Sequence, residues 1–191
     1  IRSEASGGEG NANIAVRGIP VSTGGARYIQ LQEDGLPVLE FGDIIFGNSD
    51  NFIRADRNVG RVEAVRGGSA STFASNSPGG IINFVSKTGQ QQGGAVVGSI
   101  GLDHESYRLD FDYGAPLGDN TYFHVGGFYR TGEGARDIGY NGSNGGQIRA
   151  NLTQEFDGGY IRFFGKYLDD KTPTVLPQPV FVGGTNADPD Y

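Results

Sequence analysis

Few side chains in this chain of 191 residues are spaced for covalent or metal chemistry. The two histidines, His104 and His124, lie far apart and form neither an H-x-x-H nor an H-E-x-x-H arrangement. Cysteine is absent, which removes thiolate catalysis, disulfides and Cys-ligated metals. Gly67-Gly68-Ser69-Ala70-Ser71 approaches a nucleophile elbow, but that turn needs Gly in the last place. The Asp/Asn-rich stretch 137–144 lacks the Asp-x-Asp order and closing Glu of a calcium loop. Glycine spacing at 142–146 neither follows a strand nor opens a helix, so it predicts no nucleotide site. No catalytic residue, metal ligand set or resident cofactor is expected.

What remains is ionic recognition. Glu63 and Arg66 are three apart in a strand-like segment, so they point to opposite faces and cannot pair with each other. Each needs a partner elsewhere. A net charge of −7 argues against binding to nucleic acid, where a basic face must neutralise phosphates.

The elements that position these groups fall into two textures. Over the first ninety residues, short strands are expected at 14–18, 28–33, 61–66 and 81–86, with a hairpin turn at Asp34-Gly35. The polar residues 48–50 offer N-caps for a short helix over 51–58. A unit this small buries only about 60% of its unfolded surface and is marginal alone. The stretch 89–94, GQQQGG, reads as a boundary. Beyond it come segments of about 9–11 residues, the length of a tilted membrane strand. Tyr107, Leu109, Phe111 and Tyr113 alternate with Ser106, Arg108, Asp110 and Asp112. Ile148, Ala150, Leu152 and Phe156 alternate with Arg149, Asn151, Thr153 and Glu155; Phe123, Val125 and Tyr129, and Ile161, Phe163 and Tyr167, repeat the pattern. Tight turns are expected at 118–120 and 157–159, and a long loop at 132–146. Tyrosines at 107, 113, 122, 129, 160 and 167 fall near strand ends, as in interfacial girdles. No run reaches the roughly 18 apolar residues of a membrane helix, so a membrane reading must use strands. Alternation alone fits a soluble antiparallel sandwich equally well.

The stretch 59–89 decides between them. Glu63, Arg66 and Gly67, then a small-residue segment, then Gly79, Gly80, Asn83, Ser86 and Lys87 form a long spaced pattern that resembles the plug signature of the TonB-dependent outer-membrane receptors. The chain departs from that pattern at Gly68, where the family often has Pro, and at 72–75. The resemblance implies an α+β plug domain followed by antiparallel strands of a large transmembrane β-barrel, with the plug at 1–89 and the first barrel strands at 94–191. Five strands cannot close a barrel and the chain contains no Met, so it is expected to be part of a longer protein.

By resemblance, the function is uptake of an external ligand, such as an iron chelate or other scarce nutrient, across the bacterial outer membrane. The partners implied are TonB with its inner-membrane energising complex, outer-membrane lipid, and a small-molecule or oligosaccharide ligand. A receptor that mainly signals, and a soluble β-rich surface adhesin, are the alternatives. Family plugs hold ligands on outward loops, which by motif nominates Arg17, Arg27, Phe41, Phe46 and Phe73 as ligand contacts. Arginine suits an anionic chelate and phenylalanine a ring. Arg66, with Arg17 and Glu63, is expected to lock the plug to the barrel wall through ion pairs.

Overall fold

The computed structural model describes residues 14–21, 27–39, 49–75, 77–134 and 138–173. They are mostly strands, with two short 3-10 segments at Ser49–Phe52 and Gly68–Thr72. No helix among them is long and apolar enough to cross a membrane.

The N-terminal part is built on two small sheets. Strands β1 (Ala15–Val16) and β2 (Ile19–Pro20) pair with each other. A four-stranded sheet has β3 (Ile29–Glu33) and β6 (Gly80–Ser86) parallel at its centre, with β4 (Leu36–Pro37) and β5 (Val59–Arg66) at its edges. Asp34 and Gly35 take positive φ in the β3–β4 hairpin, the geometry an Asp-Gly turn supplies. Ile29 and Leu31 pack with Val16, Val21 and Ile82 in a core that Ile14, Ile53 and Phe84 border. Each of these buried aliphatic side chains contributes about 1.5–3 kcal/mol.

The expected helix over 51–58 does not form. The 3-10 segment ends at Phe52, and an Asx turn follows, in which the Asn58 amide donates to Asp56 Oδ1 at 2.9 Å. Side-chain oxygens of Asp and Asn compete with the helical ladder for backbone N–H groups, and here they win. The extended backbone carries Arg54, Asp56, Arg57 and Asn58 past the neighbouring sheet.

That sheet is an antiparallel meander in the order β11-β10-β9-β8-β7. Its strands are β7 (Gly93–Ile100), β8 (Ser106–Pro116), β9 (Thr121–Gly132), β10 (Ser143–Phe156) and β11 (Gly159–Lys171). The sheets divide between Ser86 and Gly93. Connections at 117–120 and 157–158 are tight, as expected. The loop expected over 132–146 is shorter, because Ser143, Asn144, Gly145 and Gly146 already pair with β9. A Cβ on Gly146 would lie 2.0 Å from the Phe128 carbonyl oxygen, and one on Gly145 2.1 Å from that of Asp169. These glycines let neighbouring strands come close, so they are wall residues and not loop residues.

The polarity of the wall is inverted. Tyr107, Leu109 and Tyr113 are exposed on one face, with Tyr129, Ile148, Leu152, Ile161, Phe163 and Tyr167. Asp110, Asp112, His124, Arg130, Gln147, Arg149, Asn151 and Thr153 are buried on the other, beneath the N-terminal sheets. Tyr122 departs from the girdle expectation: it faces inward, buried, and donates to Glu155 Oε1 at 2.5 Å.

Candidate functional site

Inward residues of the wall line up in rows across the strands. One row runs Arg108, Arg130, Gly145, Asp170; two rows on, in the direction of Pro116 and Thr121, comes Asp112, Gly126, Arg149, Lys166. At about 3.3 Å per residue the two rows are roughly 13 Å apart. Three ionic nodes tie these rows to the N-terminal sheets.

The first node is Asp170, whose side chain has no exposed surface. It accepts from Arg54 Nε at 2.5 Å, and from Arg130 Nε and Nη2 at 2.8 Å each. A carboxylate buried between two guanidinium groups is held by charge-assisted bonds, roughly twice as strong as neutral ones. Beside it, Arg108 Nη2 donates to the Ala55 carbonyl at 3.2 Å, and Gln147 Nε2 to Asp56 Oδ2 at 2.7 Å.

The second node is Asp112. Arg57 Nε donates to its Oδ1 at 2.6 Å and Lys87 Nζ to its Oδ2 at 2.8 Å, while His124 Nε2 lies 3.4 Å from the same Oδ2. Asn151 Nδ2 also donates to the Lys87 carbonyl at 2.8 Å. The linker then wedges Gly89 between β8 and β9. Its φ is +81°, and a Cβ there would fall 1.8 Å from the Phe123 carbonyl oxygen, so no other residue fits without moving the wall. Gln90 Nε2 continues to Tyr122 Oη and Glu155 Oε1, both at 3.1 Å.

In the third node the charges are reversed. Asp34 takes the backbone N–H of Ser86 at 2.7 Å and its hydroxyl at 2.6 Å, closing the β3–β4 hairpin onto the end of β6. From the wall, Arg149 Nη2 donates to Ser86 Oγ at 3.0 Å and stands 3.4 Å from Glu33, while Lys166 Nζ donates to Glu33 at 2.8 Å. A cavity of about 180 Å³ opens here, lined by Glu33, Asp34, Asn58, Ser86, Arg149 and Lys166 among others. The side-chain oxygens of Asn58, Gln147 and Asn151 along this seam are buried without a partner among the described residues.

The residues nominated from the sequence stand elsewhere. Arg66 pairs across to Gly80 and thence to Ile29, at the end of the sheet opposite Ser86 and Glu33, about 20 Å away. There it is exposed and, among the described residues, meets no acidic partner on β7 to β11. Arg17, exposed in the β1–β2 turn, is brought beside it: its Nη1 lies 3.3 Å from where a Cβ of Gly67 would be. Arg27, also exposed, precedes Ile29 at this end, and Phe73, 72% exposed, lies on the 67–79 connection. Arg17, Arg27, Arg66 and Phe73 thus share one end of the sheet. Phe41 and Phe46 lie outside the described residues. Glu63, mid-strand on β5, accepts from Arg61 Nε at 2.8 Å and from Asn83 Nδ2 at 3.1 Å. The Arg61 hydrogen bond, then that of Asn83, holds its carboxyl below the usual glutamate range.

The residues that do tie the two parts together, Arg54, Arg57, Lys87, Asp112 and Asp170, were not singled out from sequence. Charges recurring at 108, 110, 112, 149, 166 and 170 on one face of a wall were the available signal: under cover they require opposite charges facing them.

A sheet unit seated on the charged face of a wall whose other face is apolar is a plug within the start of a barrel, and this is the fold of the TonB-dependent outer-membrane receptors. The chain is similar to the ferric enterobactin receptor of Pseudomonas aeruginosa, 24% identical over 90% of this chain and 28% of that protein. In structure it resembles the pyoverdine outer membrane receptor FpvA of Pseudomonas aeruginosa, with a TM-score of 0.68 and 19% identity over 88% of this chain and 23% of that one. It also resembles the ferric yersiniabactin uptake receptor FyuA of Yersinia pestis, with a TM-score of 0.61 and 23% identity over 84% and 26%. No family model matches the chain. The chain spans about a quarter of the length of these relatives.

Proposed function

We propose that the protein to which this chain belongs is an outer-membrane receptor that takes up an iron chelate through a TonB-driven movement of its plug. Transport, and no catalytic step, is the role assigned to it. The single observation that carries the reading is the set of three ionic nodes between a small-cored plug and a wall that is charged inside and apolar outside. A plug held this way is retained by a few strong, separable contacts, so a pull can release it without dismantling the barrel. Similarity to siderophore receptors supports an iron chelate as cargo. The exposed end of the plug that gathers Arg17, Arg27 and Phe73 supports an anionic chelate carrying rings, and Phe41 and Phe46 are nominated as further contacts by motif. Arg66, exposed on the edge strand β5, is assigned to pairing with the barrel wall, whereas Glu63 is engaged by Arg61 and Asn83 within the plug.

The test is uptake of labelled ferric chelates by iron-starved cells carrying the full-length receptor. Uptake that ceases when the proton gradient is collapsed, and weaker chelate binding by a variant with Arg17→Ala and Arg27→Ala, are expected. Uptake indifferent to the gradient would contradict the transport reading, and unchanged binding would contradict the ligand site.

A further inference from the structure

The chain's two Asn-Gly steps, Asn141-Gly142 and Asn144-Gly145, stand three positions apart where the connection from β9 enters β10. This dipeptide carries a latent reaction. Glycine has no Cβ to shield its backbone nitrogen, so that nitrogen can approach the side-chain carbonyl carbon of the asparagine before it. Folding decides whether the approach is open.

The two steps are held in opposite ways. Asn144 and Gly145 lie inside β10, in register with Thr131 and Arg130 on one side and with Lys171 and Asp170 on the other. Asn144 Oδ1 is 3.5 Å from Tyr129 Oη, and a Cβ on Gly145 would collide with the Asp169 carbonyl oxygen. Neither residue can turn toward the other without opening the ladder. Asn141 precedes the strand and is exposed. Neither its side chain nor the Gly142 N–H makes a hydrogen bond to another described residue. A Cβ at 142 would meet the Ile138 side chain and Pro173, so the connection packs most simply around glycine there. The packing that favours glycine thus leaves its nitrogen unshielded beside a free amide.

We propose that Asn141 is a site of spontaneous deamidation in the folded receptor, and that Asn144 is protected from it. The Gly142 backbone nitrogen, having given its proton to hydroxide, bonds to Asn141 Cγ; the Cγ–Nδ2 bond breaks and ammonia leaves, closing a cyclic imide. Water then opens the imide at either carbonyl, giving aspartate or isoaspartate. No oxidant or reductant takes part. Either product adds a carboxylate to the end of the wall where Glu105 and Glu133 already stand, joined by the Glu133 N–H to the Glu105 carbonyl at 2.9 Å. Isoaspartate also lengthens the backbone by one carbon just ahead of Ser143, the first residue of β10. The inference does not depend on what the receptor carries.

The experiment holds the folded full-length receptor for days at mildly alkaline and mildly acidic pH, with a urea-unfolded sample beside it. The tryptic peptide 137–149 spans both steps, and mass spectrometry with fragmentation assigns each conversion to its residue. In the folded receptor, conversion at Asn141 should exceed that at Asn144 about tenfold or more, because a hydrogen-bonded ladder must open before Asn144 can react. It should run faster at alkaline pH, where the attacking nitrogen loses its proton. Unfolding should bring the two positions to similar rates, and Asn141→Ser should abolish the conversion at 141. An Asn141 amide that stays intact in the folded receptor while the unfolded sample converts overturns the proposal. Equal conversion at both positions in the folded receptor overturns the protection of Asn144, and conversion no faster in alkali overturns attack by the backbone nitrogen.

Discussion

Asp170 shows how much one side chain can hold. It is fully covered and bonded to an arginine from each side of the seam, so Asp170→Ala removes the carboxylate that Arg54 and Arg130 share. Breaking a buried pair in this way costs about 3–5 kcal/mol. Urea unfolding of the plug in the solubilised full receptor should show a loss of that order, with barrel strand content unchanged. Glu63 is the contrasting case. Because its carboxyl titrates below the ordinary glutamate range, its bonds to Arg61 and Asn83 contribute stability at neutral pH. That contribution is lost as pH falls through its lowered value, since the unfolded state then binds the proton more readily. Glu63→Gln should lower the neutral plateau of plug stability slightly, leave the acid end nearly unchanged, and so flatten the limb below about pH 4.5. An acid limb identical to the parent's would show that the pairing does not persist in solution. At this scale the sequence reading was partial: the opposite facing of Glu63 and Arg66 follows from strand geometry, but the true partner of Glu63 lies two residues away on its own strand.

Among elements, β8 states the wall's logic most plainly. Leu109 is 50% exposed on the apolar face, and an arginine there should cost about 2–4 kcal/mol near the bilayer midplane on folding into vesicles. Alternation suggests that its neighbour Asp110, on the lumen face, tolerates Asn. The structure reverses this. Asp110 is 8% exposed and takes both Nε and Nη2 of Arg108 at 2.7 Å, and Arg108 stacks 4.0 Å from the Phe128 ring centroid. Asp110→Asn should therefore also weaken folding, by about 1–3 kcal/mol, since a charge-assisted pair is lost under cover. The measurement is the same vesicle refolding, with Asp119→Asn, in the exposed 117–120 turn, as the neutral reference. Which residues form strands was legible here because tyrosine, leucine and phenylalanine recur with period two against charged partners. What the charged face touches was not, because period two reports a face and says nothing of its cover. The missed bend at 53–58 has the same root: Asp50, Asp56 and Asn58 serve as helix caps or turn formers equally well, and the choice between them is made by the wall they reach.

For the molecule as a whole, plug and wall explain each other. Among the described residues, the plug's aliphatic core is Val16, Val21, Ile29, Leu31 and Ile82, and Arg54, Arg57, Lys87 and Glu33 find partners on the wall's inner face. The wall in turn buries a row of charges that would be costly without Arg54, Arg57, Lys87, Glu33 and Asp34 opposite. The spaced pattern over 59–89 made the plug legible from sequence, since it specifies turns as well as strands. The nodes were not legible, because their members are separated by as many as 133 positions in the chain and meet only once the wall is built.

The central claim is that one face of this wall meets lipid while the other carries the plug. Nitroxide scanning of residues 107–113 in the full receptor in bilayers tests it most directly, since the label reports collisions with oxygen, which concentrates in lipid, and with a water-soluble metal chelate. Collision with oxygen should peak at Tyr107, Leu109, Phe111 and Tyr113, and neither agent should reach Arg108, Asp110 or Asp112 freely. A soluble sheet would instead expose one set to the water-soluble chelate, and that result, or a profile without period two, would contradict the account.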